Sequence, residues 1–329
     1  MKERIVYITA DNSGGVTDQT ILSAHMIKKN RDVKIIKVNT ELKKIDTKGL
    51  KKSDIIYLQY SGYGFAKRGA PTWLIKETVL LKKKVKKIII LFHELYAHSY
   101  YPWKSAFWLH LVQKLIVNRL AKNADIAITT CKGYLDKLKK LELKNKPICL
   151  NAFSNVGELK KINYKKNNIL VVFGLSRVSA YSKIGNKLFI WAKKNNIKII
   201  DIGPKLNNSK IVINLIFHNV KIMGKLNISD IKKIFKKAKF GLMMEDVNYV
   251  DKSSVFNTYL SYGIMPIVLN TKKKITITHK DLKFHSSLPA NINSNKKNIK
   301  DNWLWYNRHN LINYTNKLEN IFNNSENIN

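Results

Sequence analysis

Several short segments carry the side chains that could bind or transform a ligand. Asp11-Asn12-Ser13-Gly14-Gly15 lies between an apolar run and a helical pattern. Paired glycines let the backbone approach a phosphate or sugar closely, beside a helix N-terminus whose free N–H groups favour anions. A tight turn would need the same pair. Neither Gly-x-Gly-x-x-Gly nor Gly-Lys-Ser/Thr is present, which excludes the dinucleotide fingerprint and the P-loop. Gln59-Tyr60-Ser61-Gly62-Tyr63-Gly64-Phe65 leads into Lys67-Arg68-Gly69-Ala70-Pro71-Thr72-Trp73. Ring faces stack on sugar C–H surfaces and amides bond hydroxyls, so Gln59 and Tyr63 are expected to contact substrate. The alternative is a packed Ω-like loop. His93-Glu94, with Tyr96 nearby, ends a strongly apolar run and can supply acid–base or hydrogen-bonding groups. Ala97 stands where His-Glu-x-x-His needs its second histidine and His98 falls one residue late, so a metalloprotease is disfavoured.

The second half carries cations. Gly174-Leu175-Ser176-Arg177 reads as a loop, with Lys183 six residues beyond Arg177. A guanidinium fork and a lysine point charge suit a nucleotide diphosphate, although a solvated loop has the same composition. Asp251-Lys252-Ser253-Ser254 runs into a helix, combining a cation and two hydroxyls with a helix N-terminus. Gly263 and Pro266 are read as a helix stop and a strand start.

These segments need a scaffold, and the apolar patterning supplies one. Strand-like runs cover 4–9, 33–38, 54–59, 87–92, 126–130 and 147–150, with helical patterns such as 18–29 between them. After a polar, Asn/Lys-rich linker the pattern restarts, with strands at 168–173, 198–202, 220–223, 240–244 and 266–269. Helices are expected at 187–195, from an N-cap at Ser229 through Lys237, and at 253–262. Alternation of this kind specifies parallel sheets covered by helices, and it puts the segments above at the sheets' carboxyl edges. Loops are expected over 271–300, then a helix over 301–322 with Leu304, Leu311, Leu318 and Phe322 along one side.

The 329 residues are 45% hydrophobic and 25% charged, which suits a two-domain globular chain and excludes a disordered one. Net charge is +38, with six arginines and 54 lysines. Nucleic-acid binding and attraction to an anionic membrane would both use such charge, and so would plain Lys/Asn/Ile-rich composition. No nucleic-acid-binding motif is visible. Residues 105–122 place Phe107, Trp108, Leu111, Val112, Leu115, Ile116 and Leu120 at helical spacing, with Tyr100, Tyr101 and Trp103 just before. That stripe suits either the core or a membrane interface. Cys131 and Cys149 are too few for a disulfide framework or a zinc site. With no apolar run of about 18 residues and no signal peptide, the expected location is cytoplasmic.

In order and spacing these features resemble the GT-B glycosyltransferases, close to the family-4-like group that builds bacterial surface polysaccharides. The resemblance covers nearly the whole chain. It rests on Gly14-Gly15, His93-Glu94-Leu95-Tyr96, Ala124–Thr130, Gly174…Arg177…Lys183, Asp201-Ile202-Gly203-Pro204, Met223-Gly224-Lys225-Leu226 and Tyr259–Val268. It implies an α/β chain of two Rossmann-like domains facing across a cleft: 1–152 on the acceptor side, 166–300 binding the nucleotide sugar, and a helix at 301–322 crossing back to the first.

The implied function is transfer of a sugar from a nucleotide diphosphate donor to a lipid-linked or polysaccharide acceptor, in lipopolysaccharide, O-antigen or capsule synthesis. No cofactor and no metal are implied. The enzyme would be peripheral on the inner face of the cell membrane, bound to its anionic surface, with no nucleic-acid partner. His93 and Glu94 would be catalytic. Gly14, Gly15, Arg177, Lys183, Gly203, Lys252, Ser253 and Ser254 would hold the donor, and Gln59, Tyr63 and Tyr96 the substrate. One departure stands out: Thr258 occupies the position where retaining members carry a glutamate, and Val250 stands eight residues before it. That departure motivates a non-catalytic GT-B-like protein, binding nucleotide sugar or glycan, as the alternative.

Overall fold

The computed structural model describes residues 3–11, 14–97, 108–271, 280–293 and 295–323. The chain forms two units, one built from Met1–Asn151 with Leu311–Asn329 and the other from Ala152–Asn310.

Unit 1 contains β1 (Ile5–Ala10), α1 (Gly15–Ile27), β2 (Val33–Val38), β3 (Ile55–Tyr60), α2 (Gly62–Phe65), α3 (Trp73–Lys82), β4 (Lys87–Phe92), α4 (His110–Asn123), β5 (Ile126–Thr129), α5 (Lys132–Leu138) and β6 (Ile148–Cys149). All its strands are parallel, in the order β2-β1-β3-β4-β5-β6. β1, β3 and β4 are apolar along nearly their whole length because helices cover both faces of a parallel sheet. β1 pairs with β2 on one side and β3 on the other, so the winding direction reverses at the β1/β3 crevice.

Unit 2 contains β7 (Ile169–Phe173), α6 (Arg177–Ile184), α7 (Lys187–Lys194), β8 (Lys198–Ile202), α8 (Ser209–Phe217), β9 (Lys221–Ile222), α9 (Ile228–Lys237), β10 (Phe240–Glu245), a 3₁₀ turn (Val247–Lys252), α10 (Ser254–Ser261), β11 (Met265–Asn270) and α11 (Lys296–Asn307). Its strands are parallel in the order β11-β10-β7-β8-β9, which puts the reversal at the β7/β10 crevice. Gly241 lets α10 sit close to this sheet: a Cβ there would lie 2.5 Å from the Tyr259 ring. The chain then re-enters unit 1 as α12 (Leu311–Asn323), which packs on α1.

Four local expectations change. Residues 177–184 are helix α6 rather than loop, and 209–217 form the unexpected helix α8. The cap of α9 is Asn227, whose Oδ1 accepts from the Asp230 N–H at 3.0 Å, while Ser229 Oγ donates to that same oxygen at 2.8 Å. The single helix read over 301–322 is two helices, interrupted at 308–310. Its first half packs on α10 in unit 2 and its second half belongs to unit 1. The aromatic residues Tyr100, Tyr101, Trp103 and Phe107 lie outside the described residues. Among the described residues no helix is long and apolar enough to cross a membrane.

Candidate functional site

In unit 1 the β1/β3 crevice opens into a cavity of about 240 Å³. Thr9 and Ala10 come from the end of β1, Gly14 and Gly15 from the start of α1, and Gln59, Ser61 and Tyr63 from the end of β3 and the turn beyond. Gly14 has φ +152°, and among the described residues nothing lies within 4 Å of where its Cβ would be, at the mouth of α1. Gln59 is 2% exposed. Its Oε1 is 3.0 Å from His93 Nε2, and its Nε2, with Tyr57 nearby, makes no hydrogen bond of good geometry with a described group. A buried amide N–H without a partner costs about 1–3 kcal/mol, and here it belongs to a side chain that lines the cavity.

The predicted catalytic pair divides its work. With the Gln59 oxygen toward the ring, His93 Nε2 is the donor of this contact. Glu94 orders the neighbouring turn: its Oε1 accepts from Ser61 Oγ at 2.8 Å and from the Tyr63 N–H at 3.1 Å. That carboxylate thereby fixes two walls of the cavity. The turn is locked again at Gly69, with φ +70°, where a Cβ would lie 2.8 Å from Gln113 Nε2 and 3.0 Å from the Tyr63 ring. Tyr96 is elsewhere. Its ring meets His110 edge-on at 4.9 Å between centroids and carries Lys137 Nζ 4.8 Å from its own, and it does not line the cavity.

At the β7/β10 crevice of unit 2, Gly174 has φ +96° and its absent Cβ would lie 2.9 Å from Val255 Cγ2. The turn after β7 therefore touches the first turn of α10. Ser253 caps α10, its Oγ accepting from the Phe256 N–H at 3.4 Å, and Ser254 is the first helical residue. Lys252 ends the 3₁₀ turn, half-buried. Burial raises Glu245, at the tip of β10, and the nearby Lys252 charge opposes that rise. From beneath, Asn257 Nδ2 donates to the Asp251 and Ser253 carbonyls at 2.9 and 3.0 Å, and His309 Nε2 lies 3.2 Å from Asn257 Oδ1. Lys252, Ser253 and Ser254 are thus held together at one helix mouth.

Arg177 has a different job from the one its spacing suggested. It is 3% exposed, and its guanidinium donates to Gly174 O at 2.8 Å, to Asp201 and to Pro204 O. Tyr181 adds a hydroxyl donated to Asp201 Oδ2 at 3.0 Å. The result is a brace tying the turns after β7 and β8 together. Gly203 makes room for it, because a Cβ there would lie 2.7 Å from Arg177 Cζ. Lys183 is exposed in the last turn of α6, at the other end of the helix from Arg177. Thr258, at the position of the missing glutamate, is buried, with its Oγ1 donating to Ser254 O at 2.7 Å and lying 3.0 Å from Ser154 Oγ.

Sequence reasoning gave no role to Thr9, Ser61, Asp201, Asn257 or His309. Polar residues at strand ends were the available signal for Thr9 and Asp201. Among the described residues, no three His, Cys, Asp or Glu side chains are grouped as a metal site.

No family model matches the chain. No curated protein matches it either. Solved structures do. Alr3699/HepE from Anabaena, determined with UDP and glucose, aligns with a TM-score of 0.57 and 9% identity over 96% of this chain and 98% of that one. A glycosyltransferase from Rickettsia africae ESF-5 gives 0.56 and 12% over 98% of each chain. The pneumococcal O-GlcNAc transferase GtfA, determined with UDP and GlcNAc, gives 0.52 and 11% over 92% of this chain. This chain spans 57% and 59% of the lengths of the two GtfA-containing structures it matches. The shared architecture is GT-B, two Rossmann-like α/β units with parallel sheets in one chain.

Proposed function

We propose that the chain is a glycosyltransferase that moves a sugar from a nucleotide diphosphate donor to a lipid-linked or polysaccharide acceptor of the bacterial surface, as in lipopolysaccharide, O-antigen or capsule assembly. The observation that carries this reading is the unbonded Gln59 amide in the β1/β3 cavity, set in a fold shared with glycosyltransferases over almost the whole chain.

In the proposed reaction an acceptor oxygen attacks the anomeric carbon, the C–O bond to the diphosphate breaks, and the acceptor proton passes to a base. Gln59, Tyr63 and the Gly14-Gly15 backbone hold the sugar side, His93 is the candidate base, and Glu94 shapes the wall. Lys252, Ser253, Ser254 and the α10 N-terminus stabilise the leaving diphosphate by charge and N–H donation, a role that needs no metal. Lys183, exposed at the far end of α6, is a further candidate cation for the donor, while Arg177 and Gly203 act by fixing the turn. The protein works in the cytoplasm against the inner membrane face. In support, Trp108, Leu111 and Leu115 are exposed on or just before α4, beside exposed Lys114, Arg119 and Lys122.

A thermal-shift panel of UDP-, GDP-, dTDP- and CMP-sugars tests donor binding, since a ligand that binds only the native state raises its stability. One nucleotide class should raise Tm, and labelled sugar from that donor should appear in a lipid-extractable or polymeric product. A flat panel would overturn the reading. The buried, internally bonded Thr258 favours a second reading, a non-catalytic nucleotide-sugar or glycan binder. It predicts a thermal shift with neither transfer nor donor hydrolysis.

A further inference from the structure

Of the nine residues of α8, Leu215 alone is buried. Ile213, Ile216 and Phe217 stand three and four positions apart and are 67%, 63% and 77% exposed, so they form one outward helix face. α7 lies alongside. Asn214 Nδ2 donates to Asn186 Oδ1 at 3.2 Å, and the Phe189 and His218 rings stack with centroids 4.1 Å apart. α7 has an exposed apolar residue of its own, Ile190 at 69%. Single exposed apolar residues are common, but a patch built from two adjacent helices marks a contact surface.

The segment that carries this face has one sign of exposed charge. Eight lysines stand from Lys187 to Lys225, all exposed. The only carboxylate in that segment is Asp201, buried against Arg177. Lys187 and Lys194 flank Ile190 on α7, and Lys210 opens α8.

We propose that the α7–α8 face docks on an anionic phospholipid bilayer, with Ile190, Ile213, Ile216 and Phe217 entering the headgroup–acyl boundary and the lysines meeting lipid phosphates. A bilayer supplies both requirements at once, apolar depth and negative charge. A second copy of this chain would bring the same lysines against each other. A nucleic acid would satisfy the lysines and leave four protruding apolar side chains in water. The inference extends the membrane reading above from unit 1 to unit 2, and the two stand or fall separately.

The test is sedimentation of the full chain with vesicles of phosphatidylglycerol and phosphatidylcholine in equal amounts, against pure phosphatidylcholine. It is run in a Leu111→Glu/Leu115→Glu background, which removes the exposed α4 stripe. Binding should persist on the mixed vesicles, fall at least tenfold on the neutral ones, and fall at least tenfold when Ile213→Glu/Phe217→Glu is added. Because both residues are exposed, Tm should not change, and a Lys187→Gln/Lys194→Gln/Lys210→Gln variant provides a second reading by weakening binding without touching the apolar face. Loss of all binding in the α4 background overturns this proposal and leaves the α4 reading intact. Equal binding to neutral vesicles also overturns it, as does an unchanged affinity of the Ile213→Glu/Phe217→Glu variant. A concentration-dependent dimer dissolved by the same substitutions assigns the face to a second copy and overturns it too.

Discussion

At the β1/β3 edge of unit 1, Gln59 keeps an amide nitrogen without a hydrogen bond beside a cavity, while a neighbouring carboxylate shapes the wall. At the β7/β10 edge of unit 2, the Arg177 guanidinium is engaged at all three nitrogens by Gly174, Asp201 and Pro204, and the ligand-facing polarity falls to Lys252 and a helix mouth. The same winding therefore yields two kinds of site. Unit 1 leaves side-chain donors unsatisfied and fixed in place. Unit 2 engages its arginine in holding the loops and offers mainly backbone N–H groups and a lysine. A charged residue at a strand's carboxyl end is as ready to brace a turn as to bind a ligand, and its burial decides which.

The largest effect tests the brace. Arg177→Met should cost about 3–5 kcal/mol of unfolding free energy in urea, because Asp201 is left buried without its partner, and Arg177→Met/Asp201→Leu should recover most of it. Unchanged stability with lost nucleotide binding would instead make Arg177 a ligand group and erase the contrast. Next is Lys166, whose Nζ donates to the Tyr262 and Lys236 carbonyls at 2.8 and 3.0 Å. Burial pushes it down to about 8 from the ordinary 10.5. Between those values the unfolded chain binds more protons, so wild type should gain about 1–3 kcal/mol over Lys166→Met as pH rises from 8 to 10.5. Below pH 8 the difference should be flat, and paired denaturation curves measure it.

In unit 1, Gln59→Leu should lower turnover about tenfold, close to 1.4 kcal/mol of transition-state stabilisation, with unfolding free energy changed by less than about 1 kcal/mol. A large stability loss with normal turnover would make Gln59 a structural residue. Smallest is Ser253→Ala, which removes the α10 cap and should cost about 0.5–1 kcal/mol, read from the same urea curves.

The sheets were legible from their short apolar runs: 87–92 coincides with β4, buried on both faces and almost wholly apolar, and 33–38 and 198–202 coincide with β2 and β8 to the residue although β2 is an edge strand with two lysines and β8 holds Asp201. α6 was not legible, since its buried side includes Arg177, whose burial depends on Asp201 in another strand. α8 was missed because its apolar residues face outward, so the pattern gave no core side to read. For the site, position after a strand was enough to bring Gly14, Gly15, Gln59 and Tyr63 into one cavity. It could not say that Glu94 would bond the turn or that Tyr96 would pair with His110, because both outcomes depend on loop paths with no periodic signal.

The last helix carries a consequence for how the molecule is made. α12 closes unit 1, although all of unit 2 precedes it in the chain. Its Tyr314 hydroxyl bonds Tyr57 at 2.8 Å, Phe322 packs edge-on against the same ring, and Glu319 pairs with buried Arg31 at 2.6 Å. During synthesis the N-terminal sheet emerges from the ribosome first but keeps an uncovered Tyr57, and an Arg31 that has Glu3 and still lacks Glu319, until residue 323 follows. Unit 2 is one continuous stretch with every partner of its own at hand, so it can finish folding while the earlier-made unit still waits for its final piece.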